Sequence, residues 1–436
     1  MADLPRLLAE RLNRLPDIRR WVIAFSGGVD SRVLLELCAR GLPRDALLAV
    51  HVNHALQPDA DTWAGQCQAQ CRSLGIACRV LKVDPGSGSE ADLRRARYGA
   101  FRTLLEPGDC LLLAHHADDQ IETFLLRLMR GAGLRGLAGM PSQRAIGPAL
   151  LFRPLLDRTR EELEQWARRE GLEWIEDPSN AEARYERNWL RHRIIVPLRE
   201  RWPQLSRRLT RTTAQLAESV ALLDEIAHSD LDACQRWPER LPLAALTAMS
   251  LPRQRNLLRC WVQRESGHWL EAGELARLER EVIGARDDAV PALRVGERWL
   301  RRYRGELYLV PASPVPGVGG TLEVVEGVVT LAQGTLTMRA GTEPGLVPGQ
   351  RLQLKYRRGG ERLRPLGRGG SVTLKQLMQE AGIPPWWRAG WPLLFDGDRL
   401  VAVPGICLCE GAVEAGGIRP LWQPFGLSEP RGFGRL

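Results

Sequence analysis

Four short apolar runs set the tightest limit on how this chain can fold: WVIAF (21–25), ALLAVHVN (46–53), ACRVLKV (77–83) and DCLLLAHH (109–116). Each has strand length and is rich in aliphatic residues. Each is separated from the next by an amphipathic stretch long enough for a helical crossover. Such runs read as buried parallel strands, so residues 20–200 are expected to form an α/β, doubly wound, mainly parallel sheet. Ligands on such sheets sit beyond the carboxyl ends of the strands. Polar residues collect at those ends here: Ser26 after the first run, Asn53 and His54 after the second, His115 and His116 after the fourth.

A chain of 436 residues is too long for one ordinary domain. TREELEQWARREGL, from Thr159, has a capping-box start with Glu162 three residues on, and a stop at Gly171. Residues 205–285 are almost entirely helical in pattern, which predicts an all-helical second domain. VPASPVPGVGG (310–320) reads as a linker, and a small α+β C-terminal module is expected from about Gln350. The expected division is 1–204, 205–310, 311–349 and 350–436. No apolar run approaches the ~18–20 residues of a membrane span. The opening MADLPRLLAERLNRLP reads as a short amphipathic helix rather than a signal peptide, so no membrane and a cytoplasmic location are expected. None of the nine cysteines forms a CxxC pair, which favours reduced thiols over a metal cluster.

The first run leads into SGGVDS. Two glycines let backbone N–H groups approach an anion, and the start of a helix adds its positive dipole end. A Walker-type loop would carry a Gly-Lys pair, and this chain has none. Asp30 stands there instead, a carboxylate tolerable beside phosphates if it holds Mg²⁺. That combination suits cleavage between the α- and β-phosphates of ATP, with pyrophosphate leaving.

At these residues the chain resembles the PP-loop ATP pyrophosphatase superfamily, the adenine nucleotide α-hydrolase-like fold, whose signature is SGGxDS after the first strand. Further stretches narrow the resemblance: HVNHALQ (51–57), EADLRRARYGAF (90–101), LAHHADDQIETFLLRLMRGAGLRGL (113–137) and EDPSNAEARYERNWLRHRIIVPL (176–198). They are similar, in this order, to the tRNA(Ile)-lysidine synthetase family, as is RLQLKYRRGGERLRPLGRGGSVTLKQLMQEAGIPPWWRAGWPLLFDGDRLVAVPGI (351–406). Gln57 departs from a usual basic residue and Leu93 from a usual Ala. The resemblance implies that ATP adenylates the C2 oxygen of the wobble cytidine of a CAU-anticodon isoleucine tRNA. Free L-lysine then displaces AMP to give lysidine, which changes codon reading from AUG to AUA. It also implies a catalytic first domain, a helical tRNA-recognition domain and a basic tRNA-binding terminal domain; monomer and homodimer stay open.

Residue by residue, Ser26, Gly27, Gly28, Val29, Asp30 and Ser31 would hold ATP, with Asp30 on Mg²⁺. Asp118, Asp119 and Glu122 lie within one helical turn, which a helix dipole alone would explain. The reaction also needs carboxylates to hold the lysine ammonium and take its proton. The resemblance puts Asp119 first among them, then Asp118, with Glu122 and His115 beside them. His51, His54 and His116 are expected to order loops or meet the nucleotide. Arg94, Arg97, Arg187, Asn188, Arg191 and Arg193 are candidates for phosphate contacts on ATP or tRNA, against the plainer reading of a solvated helix face.

The net charge is +9, carried by 58 arginines and three lysines, Lys82, Lys355 and Lys375. That balance suits a polyanionic partner, or simply reflects base composition. Residues 351–368 hold seven basic residues, Arg358 and Arg364 among them, against one acid, Glu361. Such a patch would position tRNA through its backbone. Trp386 and Trp387 could stack on a base or pack a core. Other readings are a 2-thiocytidine-type tRNA enzyme, a small-molecule amide synthetase, or a non-enzymatic RNA-binding protein with a vestigial nucleotide fold.

Overall fold

The computed structural model describes residues 3–84, 86, 89–176, 186–286, 289–311, 317–411 and 413–428. It divides into two compact units, Met1–Leu222 and Leu223–Leu436. Residues 177–185 of the EDPSNAEARYERNWL stretch and 312–316 of the Pro/Gly-rich linker lie outside the described residues.

The first unit opens with α1 (Leu4–Leu12), whose Leu4, Leu8 and Leu12 share one buried face at four-residue spacing. Then follow β1 (Arg20–Ala24), α2 (Val29–Gly41), β2 (Leu47–Asn53), α3 (Ala60–Ser73), β3 (Ala77–Lys82), α4 (Glu90–Leu104), β4 (Asp109–Leu112), α5 (Ala117–Met129) and α6 (Leu134–Leu137). A hairpin, β5 (Gln143–Ile146) and β6 (Ala149–Phe152), precedes α7 (Arg160–Arg169), α8 (Glu186–Trp189), a π-helical turn at Leu190–Ile195 and α9 (Val196–Arg201). The sheet order is β3-β2-β1-β4-β6-β5, all parallel except β5. Strand order reverses between β1 and β4, so the crevice between their carboxyl ends is where a ligand fits.

The β1, β2 and β4 runs are buried as expected, whereas β3 is half exposed because it forms the sheet edge. Each face of the sheet has its own core. Val33, Leu37, Leu163 and Trp166 of α2 and α7 cover one, and Tyr98 and Phe101 of α4 cover the other against Val22, Leu111 and Leu151. Because α4 runs back across the sheet, its first turns, with Arg94 and Arg97, stand at the rim where the strands end. The capping box at Thr159 forms as the spacing predicts.

α10 (Leu205–Cys234) begins in the first unit and ends in the second. The helical pattern read over 205–285 holds apart from one three-residue strand, and further strands follow within the domain expected to be all helical. After β7 (Arg240–Pro242), α11 (Leu243–Thr247), α12 (Leu251–Ser266) and α13 (Ala272–Arg277), it turns into β8 (Ala292–Val295), β9 (Arg298–Tyr303) and β10 (Glu306–Pro311). The β9 run, RWLRRY, hides its strand character because arginines stand on both of its faces, Arg302 buried and Arg301 half-buried beside Trp299 and Tyr303. The segment 311–349 is not irregular throughout; it contributes strands Gly320–Glu323, Gly327–Leu331 and Gly334–Ala340 to two antiparallel sheets. Those sheets and Leu374–Glu380 enclose a core that also takes Tyr308 and Val310 from β10. No helix among the described residues is long and apolar enough to cross a membrane.

Phe101 is 1 % exposed and seats α4 on the sheet. Phe101→Ala is expected to cost about 3–5 kcal/mol, read as a lowered urea midpoint with an unchanged slope.

Candidate active site

The loop after β1 is built by its own serines. Ser31 Oγ donates to Gly28 O at 2.9 Å and accepts the Ser26 N–H at 3.2 Å; Ser26 Oγ lies 3.1 Å from Ser31 Oγ. These bonds close the turn and leave the first N–H groups of α2 pointing outward, since a helix start has no carbonyl partners for them. Gly28 caps α2 without a side-chain bond. The two glycines have different work. Gly27 has φ +88°, and a Cβ there would lie 2.5 Å from Ile175 Cδ1 and 2.9 Å from Cys67 Sγ. Gly28 faces open space, with only Ser26 Oγ within 4 Å of such a Cβ, at 3.6 Å. One glycine admits the protein behind the loop and the other admits a ligand in front. Ile175 N–H also donates to Gly27 O at 2.9 Å, which pins the loop to the strand-like segment before residue 177.

The histidine pair after β4 links this loop to the acidic helix. His116 caps α5: its Nδ1 accepts the Asp118 N–H at 3.3 Å, while Asp119 Oδ2 accepts the His116 N–H at 3.0 Å. With Nδ1 accepting, the ring proton sits on Nε2, which lies 3.5 Å from Asp30 Oδ2 and 3.6 Å from Asp119 Oδ2. Burial opposes charge on this ring, but Asp119 and Asp30 outweigh it and hold its pKa above the ordinary histidine value. Burial likewise works against the charge on Asp119, yet the neighbouring His116 and His115 bring its pKa below the usual carboxylate range. Glu122 goes the other way. It is fully buried, and burial keeps its pKa raised even though Oε1 accepts from Arg191 Nε at 2.7 Å. Its other oxygen, Oε2, has no hydrogen-bond partner, and neither has the buried Oδ1 of Asp30.

Asp118, expected beside Asp119 at the chemistry, is turned away from it. Its Oδ2 accepts the Arg160 N–H at 2.8 Å, and its Oδ1 pairs with Arg199, so it ties α5 to α7 and α9. A carboxylate one residue from Asp119 points some 100° around the helix, and this is the reason. His115 is also a quieter group than expected. Its Nδ1 accepts from Arg153 Nε at 3.1 Å, and burial, with Arg153, Arg97 and Arg94 nearby, lowers its pKa to about 3. It stays neutral near pH 7 and can offer only its Nε2–H. His51 donates from Nδ1 to Phe25 O at 3.0 Å and braces the strand end before the loop. Buried His54 Nδ1 is unpartnered.

Among the arginines, Arg191 is placed by the π-helical turn and belongs to Glu122. Arg187 meets Glu90 at 3.0 Å and Thr123 at 3.4 Å. Arg97 lies within charge range of Asp119 and of His54, and no carboxylate among the described residues is bound to it. Asn188 lies beside Arg187 on α8. Sequence reading passed over Arg153, which follows β6 and reaches His115; a basic residue just after a strand was the available signal.

In the second unit, Arg358 and Arg364 are exposed, whereas Arg368 pairs with Glu380 at 2.6 Å. Trp386 and Trp387 are only 6 % and 3 % exposed and pack on Tyr308 with ring centroids 5.3 and 6.2 Å away. They are core, not a platform for a base.

Comparison with known proteins agrees along the whole chain. A PP-loop domain family matches residues 4–198, a TilS substrate binding domain family residues 241–308, and a TilS substrate C-terminal domain family residues 352–422. A tRNA(Ile)-lysidine synthase of Alkalilimnicola ehrlichii is 41% identical, with 97% of each chain covered. That of Pseudomonas aeruginosa is 42% identical, with 93% of each covered. Among solved structures, the U34-tRNA thiolase NcsA of Methanococcus maripaludis, determined with its iron–sulfur cluster, matches 50% of this chain and 78% of its own, at 17% identity and TM-score 0.42.

Gly27→Ala is expected to abolish ATP-dependent turnover and lower stability, because both its φ and its neighbours exclude a Cβ; Gly28→Ala should cost less stability while still impairing ATP use. Thermal midpoints and ATP turnover read the two apart. A pH effect follows from His115. Its folded pKa of about 3 lies below the ordinary histidine value of 6.5, so the unfolded chain binds the extra proton between those values. Stability is therefore lost as pH falls through that window. Denaturant titrations at pH 7 and pH 4 should show a smaller loss for His115→Gln than for the unaltered chain.

Proposed function

Since the chain belongs to the tRNA(Ile)-lysidine synthase family, we propose that its β1–β4 crevice runs both halves of lysidine formation, adenylation and amine transfer. The observation that carries this reading is His116, whose one ring nitrogen faces Asp30 of the phosphate loop and Asp119 of the acidic helix within 3.6 Å. The substrates are ATP, the CAU-anticodon tRNA(Ile) and free L-lysine, and the product reads AUA instead of AUG.

In the first half-reaction the N–H groups opening α2, with Gly27 and Gly28, hold the β- and γ-phosphates. The cytidine C2 oxygen bonds to the α-phosphorus, and the bond to the bridging oxygen breaks as pyrophosphate leaves. Mg²⁺ would neutralise charge on the departing phosphates. Asp30 suits such an ion: its Oδ1 is buried and unpartnered, and Mg²⁺ is commonly held by one or two carboxylates with substrate phosphates and water completing its shell.

In the second half-reaction the lysine ε-nitrogen bonds to C2 and AMP departs with the oxygen. Two carboxylates of opposite character divide the work. Asp119, held ionised, grips the ammonium. Glu122, with its raised pKa and free Oε2, is the better proton acceptor. His115 donates from Nε2 to the nucleotide, and Arg97 and Arg187 balance phosphate charge. Exposed Arg358 and Arg364 position the tRNA backbone from the second unit, while Trp386 and Trp387 hold that unit's core.

Asp119→Asn should retain tRNA binding and lose lysidine formation; near-normal turnover would remove its role. Glu122→Gln, which keeps the oxygen facing Arg191, should lower kcat by roughly 10²–10⁴-fold and abolish the acidic limb of the pH–rate profile. An unchanged limb would exclude Glu122 as the proton acceptor. Replacing Arg358 and Arg364 together by Gln should weaken tRNA uniformly and lower its salt slope by about two. Pyrophosphate release measured with and without tRNA and lysine separates this reading from an amide synthetase, a thiolating enzyme and a non-enzymatic binder.

A further inference from the structure

One group of side chains at the same rim is, Arg97 apart, left unused by the chemistry above. Tyr98 is 7 % exposed, and its hydroxyl oxygen is buried without a hydrogen-bond partner. Four guanidiniums surround it. Arg94 and Arg144 lie over its ring at 5.0 and 5.3 Å from the centroid, and Arg97 and Arg153 stand within charge range. Arg144 and Arg153 come close to the phenol, but neither reaches it in hydrogen-bonding geometry. Apart from Asp119, which faces Arg97, no carboxylate among the described residues answers this group: Arg94 and Arg144 form no ion pair with them, and Arg153 spends two donors on His115 Nδ1 at 3.1 Å and Pro141 O at 2.7 Å.

One buried guanidinium, Arg153, and three half-buried ones around an orphaned hydroxyl carry an electrostatic cost that an anion would reverse. The effect on the group is visible. Burial raises the Tyr98 pKa, but Arg94, Arg153, Arg144 and Arg97 more than offset this and leave it below the ordinary phenol value. Burial also lowers the pKa of Arg153; Tyr98 opposes this, and the like charges of Arg144 and Arg94 add to it.

We propose that Arg94, Arg144 and Arg153, gathered about the Tyr98 hydroxyl, form a second oxyanion pocket, which takes a phosphodiester of the RNA next to the reacting nucleotide. The inference rests on the lysidine-forming reading above. Its placement favours RNA over the phosphates of ATP. The loop follows β1, whereas Arg153 follows β6, and β4 with His115 lies between them. Two strand spacings, roughly 10 Å, separate the pocket from the loop, on the scale of the distance between a base and its own backbone. Arg144 sits half-exposed on the edge strand β5, open to a polymer arriving from outside. The amino-acid carboxylate of free lysine offers the same oxyanion chemistry, and the test separates the two sources.

The full-length chain is compared with Arg144→Gln, whose side chain lies at the sheet edge, and with Tyr98→Phe, which keeps the ring beneath both guanidiniums. Affinity for a CAU-anticodon tRNA(Ile) transcript is measured across salt concentrations, alongside KM for ATP and for lysine. Arg144→Gln should weaken tRNA binding roughly tenfold and lower the salt slope by about one, and Tyr98→Phe should weaken it about fivefold. KM for ATP and lysine should stay unchanged. Unaltered tRNA affinity and slope in both variants would overturn the pocket, and a rise confined to the lysine KM would overturn its assignment to RNA. The unmodified chain tests the reading beneath it: pyrophosphate release indifferent to tRNA and lysine would overturn that reading before any variant is compared.

Discussion

One imidazole holds the site together. His116 ends the approach from β4, caps α5 through Nδ1, and presents Nε2 to Asp30 and Asp119. Because the cap fixes the ring, the separation between the phosphate loop and the acidic helix is set by a side chain rather than by loop length. Asp119 then stays ionised against burial. A carboxylate next to a phosphate nest would otherwise repel the ligand, and two carboxylates sharing a crevice would repel each other. The ring's raised pKa is the counterpart of these two effects.

Much of this architecture was legible before any coordinates. The strand runs, the βαβ spacing and the SGGVDS loop specify the sheet and the crevice, because a buried parallel strand and a glycine-rich turn leave strong local signals. Side-chain direction does not. Asp118 and Asp119 look equivalent in sequence, yet one faces Arg199 and the other the crevice. Nor does a pattern report long-range partners: nothing near Glu122 announces Arg191, 69 residues away, or the π-helical turn that delivers it. Strands of the second unit were hidden for a related reason. Arginines on both faces, as in β9, erase the alternation that marks a strand.

The arginine excess also acquires a structural meaning. Some of it is architectural, as in Arg11 with Asp157 or Arg253 with Asp230. Near the crevice, however, guanidiniums outnumber the carboxylates that could answer them, and this imbalance distinguishes a binding rim from a stabilising network. Arginine rather than lysine suits that place, since it stays charged when half-buried and lies flat over a ring such as Tyr98.

The core of the second unit carries a different lesson. Tyr308 and Val310 belong to β10, within or next to the stretch matched by the substrate binding family, yet they pack against Leu336, Trp386 and Trp387. Segments matched by separate family models are here joined by a shared interior, with Tyr308 packed edge-on against two tryptophans. A cut near residue 350 would therefore open a hydrophobic core rather than release a module. For anyone dissecting or recombining the chain, the useful boundaries are those of burial, and they do not coincide with those of homology.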